Sequence, residues 1–302
     1  MRITTLTNIV KKLPSPLYKL GSQAYIDKTF PRHIFIETTA NCQLSCSYCP
    51  REKRQDNMDF SLFKCIVDEC TEHGPRSFSL HLFGEPLLYP NILEAIGYIK
   101  KKDKRHTVLL TTNGILLNKF ADSLVALGVD RIIWSYRKNN FNDNTRRVLK
   151  KVGLIRLLVE ETPKDEFEKW KTFPRVEIKH LHNYGGKIDL TKWKPNAYVE
   201  SSTDMVDEQV RYPCYHLWLA PAIRWNGEIT ICCNDPSGVE SLGAYSSVSL
   251  GKVWNGEKIR LLREGHLKGE YKGICKDCNV WRTYPNMFFG WQCKHEKEAT
   301  RN

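Results

Sequence analysis

Three cysteines fall within one short stretch, Cys42-Gln43-Leu44-Ser45-Cys46-Ser47-Tyr48-Cys49. Three thiolates at this spacing can hold three irons of a [4Fe-4S] cube and leave the fourth iron open for chemistry. The competing reading is a zinc site completed by a distant fourth ligand. A second set follows: Cys214, Cys232 and the pair Cys275-Lys276-Asp277-Cys278. Four thiolates from separate elements make a closed site, and by themselves do not separate zinc from iron–sulfur. Cys233 directly follows Cys232. Neighbouring side chains on a strand point to opposite sides, so one of the two is free, and Cys233 is the expected one. Cys65 and Cys70 lie in a helical pattern and read as buried small hydrophobes. Cys293 reads as an unligated tail thiol. The chain has 11 cysteines and no signal-peptide apolar region near its first residues. A cytoplasmic, reduced chain with that many thiols points to metal ligation rather than disulfides.

The elements that must position these residues alternate. Strand patterns run over 34–39, 77–83, 107–112, 131–136, 154–160 and 175–182. Helical patterns lie between them, near 62–73, 91–102, 117–127, 143–152 and 164–172, with Ser61 and Asn118 as start signals and Gly74, Gly128 and Gly153 as stops. This is an α/β chain with a parallel sheet, open or closed into a partial barrel. Its chemistry belongs at the carboxyl ends of the strands, and the three-cysteine loop directly follows the first. The pattern changes after Gly185-Gly186. Residues 187–211 read as a connector. Leu217–Arg224 and Glu228–Cys232 flank Trp225-Asn226-Gly227 as a β-hairpin, and a helix follows near 252–264.

The cysteine loop resembles that of the radical S-adenosylmethionine (radical SAM) enzymes, with an aromatic residue, Tyr48, before the last cysteine. Phe83-Gly84-Glu85-Pro86 after the second strand resembles the family's G-G-E-P motif, with Phe83 in place of the first glycine. Thr111-Thr112-Asn113-Gly114 after the third strand is also similar to many members. The resemblance implies a partial (β/α)6 barrel over 33–186. It also implies an open-iron [4Fe-4S] cluster that binds S-adenosylmethionine and cleaves it reductively to a 5′-deoxyadenosyl radical, which abstracts a substrate hydrogen. By the same resemblance Tyr48, Gly84, Glu85, Pro86, Thr112, Asn113, Ser135 and Arg156 surround the cofactor. Glu85 and its neighbours would hold the methionine ammonium, and Arg156 the carboxylate. Tyr212–Trp218, Trp225–Glu228, Cys232–Asp235, Leu250–Trp254 and Arg263–Cys278 resemble the SPASM extension or its shorter Twitch form. This implies a small β-hairpin plus helix domain over 212–285, carrying one auxiliary [4Fe-4S] cluster on Cys214, Cys232, Cys275 and Cys278. Residues 1–32 and 286–302 are then extensions.

His81, His180 and His182 are candidate acid–base groups at the barrel mouth. By resemblance to sulfatase-maturing enzymes, Cys233 lies near the substrate, where a thiol can return a hydrogen atom. Dehydrogenation, with the auxiliary cluster taking the second electron, and epimerisation through Cys233 both stay open. So do a sugar, peptide or nucleotide as substrate. Ser135-Tyr136-Arg137-Lys138 departs from the family pattern and suggests an anionic group there. A flavodoxin or ferredoxin-type electron donor is implied. The formal charge of +12 keeps a nucleotide or nucleic-acid substrate in play, as does a non-catalytic metal-binding module on nucleic acid, although no nucleic-acid-binding motif is present. No apolar run is long enough to span a membrane.

Overall fold

The computed structural model describes residues 29–135, 143–158, 176–179, 181–192 and 216–280, together with Thr162, Asp165, Glu168, Trp170, Arg211, Pro213 and Cys214. His180, Cys293, most of 164–172, nearly all of 187–211 beyond Lys192, and 286–302 lie outside these residues.

One nine-stranded sheet runs in the order β6-β5-β4-β3-β2-β1-β7-β8-β9. β1 (His33–Ile36), β2 (Ser77–Ser79), β3 (Thr107–Thr112), β4 (Arg131–Ser135), β5 (Gly153–Leu158) and β6 (Val176–Lys179) are all parallel. α1 (Phe60–Glu72), α2 (Ile92–Lys102), α3 (Leu117–Ala126) and α4 (Asp143–Val152) cross between them. Burial alternates along the strands. Ile34, Ile36, Val108, Leu110, Ile132, Trp134, Ile155 and Leu157 pack into one core with Phe63, Ile66, Ala95, Ile96, Leu117 and Ala121 of the helices. The opposite residues, among them Phe35, Thr111, Ser135 and Arg156, are half-buried on the inner face. Two-residue periodicity thus separates core from chamber, as a partial barrel requires.

The extension does not stand apart as a separate hairpin. β7 (Ala222–Ile223) pairs parallel with β1, and β8 (Glu228–Thr230) and β9 (Ser241–Ala244) continue the same sheet antiparallel. The Asn-Gly turn forms, with Gly227 at φ 83 and Asn226 Oδ1 accepting from Glu228 N at 3.1 Å. The first hairpin strand is shorter than expected, because His216–Leu219 is a helical turn, α5. Four buried residues without a β-branched side chain fit either state, and burial decided. The helix expected over 252–264 is two, α6 (Leu250–Trp254) and α7 (Glu257–Lys268), broken at Asn255-Gly256. α8 (Ile274–Asp277) follows. Two capping details also differ. Asn118 lies inside α3, which starts at Leu117 after Leu116 with no side-chain cap. α1 starts at Phe60 because the Asp59 carboxylate, not Ser61, caps it, accepting from Ser61 N and Leu62 N. Cys70 is buried as expected, but Cys65 lies off the buried stripe of α1 and is exposed. Glu69 on α1 accepts from Leu250 N, Gly251 N and the Tyr245 hydroxyl, tying the core helix to the extension.

Candidate active site

The cysteine loop leaves β1 and is shaped by main-chain contacts. Arg51 Nη2 donates to Cys42 O at 3.1 Å and Leu44 O at 2.8 Å, and Cys49 N bonds Cys46 O at 3.1 Å. All three thiols are half-buried. Burial pushes the Cys49 thiol up, with the Arg51 main chain and charge opposing. Tyr48 packs on Leu181 and Cys46.

The next two motifs are joined to this loop. Gly84 passes so close to β1's exit that a Cβ there would sit 1.9 Å from Thr39 O, so no other residue fits without moving backbone. Glu85 N bonds Asn41 O at 2.7 Å. The buried Glu85 carboxylate accepts from Leu87 N (3.2 Å), Thr112 Oγ1 (2.7 Å) and Asn113 N (2.8 Å). Burial raises its pKa, and these three donors pull it back. The carboxylate thus braces the ends of β2 and β3, and most of its acceptor capacity is used within the protein rather than left for a ligand ammonium. Asn113 Nδ2 reaches Cys42 Sγ at 3.8 Å, closing the link from brace to loop.

On the inner face Ser135 and Arg156 are register neighbours of β4 and β5. His81 lies beyond the end of β2, which stops at Ser79. Its Nδ1 accepts from Thr111 N at 3.2 Å and its Nε2 lies 3.0 Å from Thr111 Oγ1, so both nitrogens are engaged by β3. That geometry makes it a wall of the chamber more readily than a proton carrier. His182 is buried, edge-on to Tyr184 at 6.4 Å.

Two groups escaped the sequence reading. Tyr184 has φ 47, the one non-glycine positive φ among the described residues, and Gly185 and Gly186 follow it in the same region. Its ring stands edge-on to Phe83 at 5.8 Å. Burial raises its hydroxyl pKa, and the groups that act on it electrostatically include Cys49, Cys233, Arg156 and Cys46. The Gly185-Gly186 pair, taken as a boundary, was the available signal. Glu37, just past the end of β1, is 3% exposed and accepts from Phe83 N and Trp225 N beside Arg224. Burial raises its pKa, and Arg224 opposes.

The four remaining candidate ligands meet. Cys214, Cys232, Cys275 and Cys278 line one cavity with Arg211, His216 and His266. Burial pushes all four thiols up, Cys275 to about 12. Among the described residues no three of His, Cys, Asp or Glu converge tightly enough to hold a single metal ion. Four thiols around one cavity are the number that supplies one thiolate to each iron of a four-iron cluster. Cys233 does not line this cavity. Its Sγ is 4.0 Å from His216 Nε2 and 3.6 Å from Asn234 Nδ2. His216 in turn stands 6.3 Å from the inner-face ring of Phe35. The cavity is fastened to the barrel by a reciprocal pair: Asn183 N donates to Asn279 Oδ1 at 3.0 Å, and Asn279 N to Asn183 Oδ1 at 3.1 Å.

Comparison with known proteins follows this division. The radical SAM superfamily model matches residues 36–136, and the SPASM iron–sulfur cluster-binding domain model matches 214–279. The S-adenosyl-L-methionine-dependent 2-deoxy-scyllo-inosamine dehydrogenase of Niallia circulans is 24% identical over 267 residues, 84% of this chain and 94% of that protein. A probable GTP 3′,8-cyclase of Methanococcus maripaludis is 37% identical over 105 residues, and the chain spans only 35% of its length. Among solved structures, BtrN in complex with AdoMet and 2-DOIA superposes with TM-score 0.61 at 20% identity, covering 83% of this chain and 93% of that one. Streptococcus suis SuiB bound to precursor peptide SuiA gives 0.60 at 16%, covering 84% and 71%. At these identities the superpositions establish the fold alone. The two matched domains imply S-adenosylmethionine, a [4Fe-4S] cluster in the core and an auxiliary cluster in the extension.

Proposed function

For this radical SAM enzyme with a C-terminal SPASM domain, we propose dehydrogenation of a small, polar, hydroxylated substrate. The observation that carries it is the four-thiol cavity, whose lining residue His216 stands beside the inner-face ring of Phe35 and near the Cys233 thiol. A substrate radical that must lose a second electron needs an acceptor beside it, and this cavity provides the place. The near full-length likeness to a cyclitol dehydrogenase agrees. Its small substrate is the nearer guide than the SuiA peptide.

In this reading Cys42, Cys46 and Cys49 hold the first cluster, and Cys214, Cys232, Cys275 and Cys278 the auxiliary one. Bound there, S-adenosylmethionine and the clusters supply one-electron chemistry strong enough to take a hydrogen atom from an unactivated C–H bond. The protein's part is positional. Glu85 locks the ends of β2 and β3, so that Gly84, Pro86, Thr112 and Asn113 frame the cofactor beside Cys42. Tyr48 covers the loop. Arg156 and Ser135 face the chamber with a cation and a hydroxyl, suited to a carboxylate or other anionic group. Tyr184, kept as a neutral phenol, offers a hydrogen-bond donor between the loop and Cys233. An external flavodoxin or ferredoxin-type protein in the cytoplasm supplies the electron. Anaerobic reconstitution with dithionite, S-adenosylmethionine and a panel of cyclitols and amino sugars tests the proposal. It expects 5′-deoxyadenosine and a product lighter by two hydrogens. No 5′-deoxyadenosine under these conditions defeats the enzyme reading.

A second reading, epimerisation, is favoured by Cys233, a thiol outside the cluster cavity and able to return a hydrogen atom. It expects a product of unchanged mass that gains one deuterium in D2O. It also expects Cys233→Ala to keep both clusters and lose that deuterium. Loss of the auxiliary cluster's absorbance in Cys233→Ala would instead make the residue a ligand.

A further inference from the structure

The auxiliary cavity holds a buried donor with no acceptor in the protein. His266 on α7 is 2% exposed and lines the cavity. Its Nδ1 accepts from Cys214 N at 3.2 Å, so Nδ1 carries the lone pair and the ring proton sits on Nε2. Nε2 is buried and has no hydrogen-bond partner. Its ring is wedged edge-on between Trp218 (6.5 Å) and Tyr271 (4.8 Å), which fixes its direction. Arg211 lines the same cavity. Its guanidinium donates to the carbonyls of Cys275 and Lys276 and stacks 3.7 Å over Tyr271, whose hydroxyl donates back to Arg211 O. The four thiols share this lining with the His266 N–H, the fixed Arg211 cation and the polar side chains of His216 and Asn234, and no carboxylate is among the described lining residues.

We propose that His266 and Arg211 are positioning residues that set the reduction potential of the auxiliary cluster, His266 by donating its Nε2–H to a cluster sulfur and Arg211 by its charge. The inference rests on the cluster assignment proposed above. A cluster gains one negative charge on reduction, so a donor and a cation at its edge both favour the reduced state and raise the potential. That suits a site that must take an electron from a substrate radical rather than deliver one. It also accounts for a half-buried arginine held beside four thiols. The cation offsets part of the charge of four thiolates in a desolvated site.

The test uses the full chain with Cys42, Cys46 and Cys49 all changed to Ala, reconstituted with ferrous iron and sulfide so that only the auxiliary site loads. The midpoint potential is read by an EPR-monitored dithionite titration. His266→Phe and Arg211→Gln are expected to shift the potential negative, with a larger shift together, while His266→Gln and Arg211→Lys stay near the parent. Exchangeable-proton coupling to the reduced cluster is expected in the parent and in His266→Gln, and absent from His266→Phe. Parent-like potentials in both His266→Phe and Arg211→Gln would overturn the inference while leaving the cluster assignment intact. A parent protein that assembles no cluster, rather than about four irons per chain, would overturn both.

Discussion

The two cysteine sites are built in opposite ways. The first lies on a single loop of eight residues, its thiols half-buried and its shape fixed by Arg51 and the chain itself. The second gathers thiols from the approach to α5, the segment after β8, which ends at Thr230 and not at Cys232 as expected, and both ends of α8 into a desolvated cavity. The loop can present an open iron to a ligand, whereas the cavity encloses its contents. The difference teaches that the first site draws all its thiols from one loop, braced by Gly84, Glu85 and Asn113, while the second exists only when distant parts of the chain have packed.

The largest effects should come from removing one thiol of each set. Cys42→Ala is expected to abolish 5′-deoxyadenosine formation and keep the auxiliary iron. Cys275→Ala is expected to lose that iron yet still cleave S-adenosylmethionine. If either change empties both sites by iron analysis, they are not independent. Next comes Gly84→Ala, whose Cβ meets backbone at 1.9 Å and cannot escape by rotating a side chain. A loss of about 3 kcal/mol is expected in urea melts of the metal-free protein, with weakened binding of S-adenosylmethionine in the reconstituted one. The cavity's counterpart is Asn279→Ala, which breaks a clasp joining residues 96 positions apart. The change removes the bond accepted by the Asn279 side chain and leaves the one donated by its backbone N–H, a loss of about 1 kcal/mol, and reconstitution of the auxiliary cluster should slow while that of the loop cluster does not.

The smallest effect is on pH. Burial and the Arg211 charge lower the His266 pKa from 6.5 to about 4 in the metal-free protein. Between these values the unfolded chain takes up a proton that the folded chain refuses. Stability therefore falls as pH drops from 6.5 toward 4 and levels off below, by on the order of 3 kcal/mol at most. His266→Phe should remove this contribution and flatten the fall in melting temperature across that range relative to the parent.

What the sequence discloses follows the same division. The loop is readable because its ligands are neighbours, and the β3 strand is readable because alternation over Thr107–Thr112 survives folding unchanged. The Cys275–Cys278 pair is equally local. That Cys214 and Cys232 join it was legible from their places on either side of the expected hairpin, and their shared cluster only through family resemblance. Arg211, His266 and Glu37 carried no local sign, and Tyr184 only the glycine pair that follows it. Each matters because of what the fold sets opposite it: a cavity, another cavity wall, the Trp225 main chain and Phe83. Glu85 was found by motif, but motif reading cannot see that Leu87, Thr112 and Asn113 already engage its oxygens.

The place of β1 has a practical consequence. This four-residue strand carries the cysteine loop and lies between β2 and β7, with the extension supplying one of its two neighbours. A chain cut after Gly186 would keep every residue of the three-cysteine motif but leave His33–Ile36 with a bare row of backbone donors and acceptors. Such an edge invites pairing with another chain. The barrel made alone should aggregate rather than behave as a smaller enzyme, so the extension acts as an edge guard for the catalytic half as well as a holder of thiols.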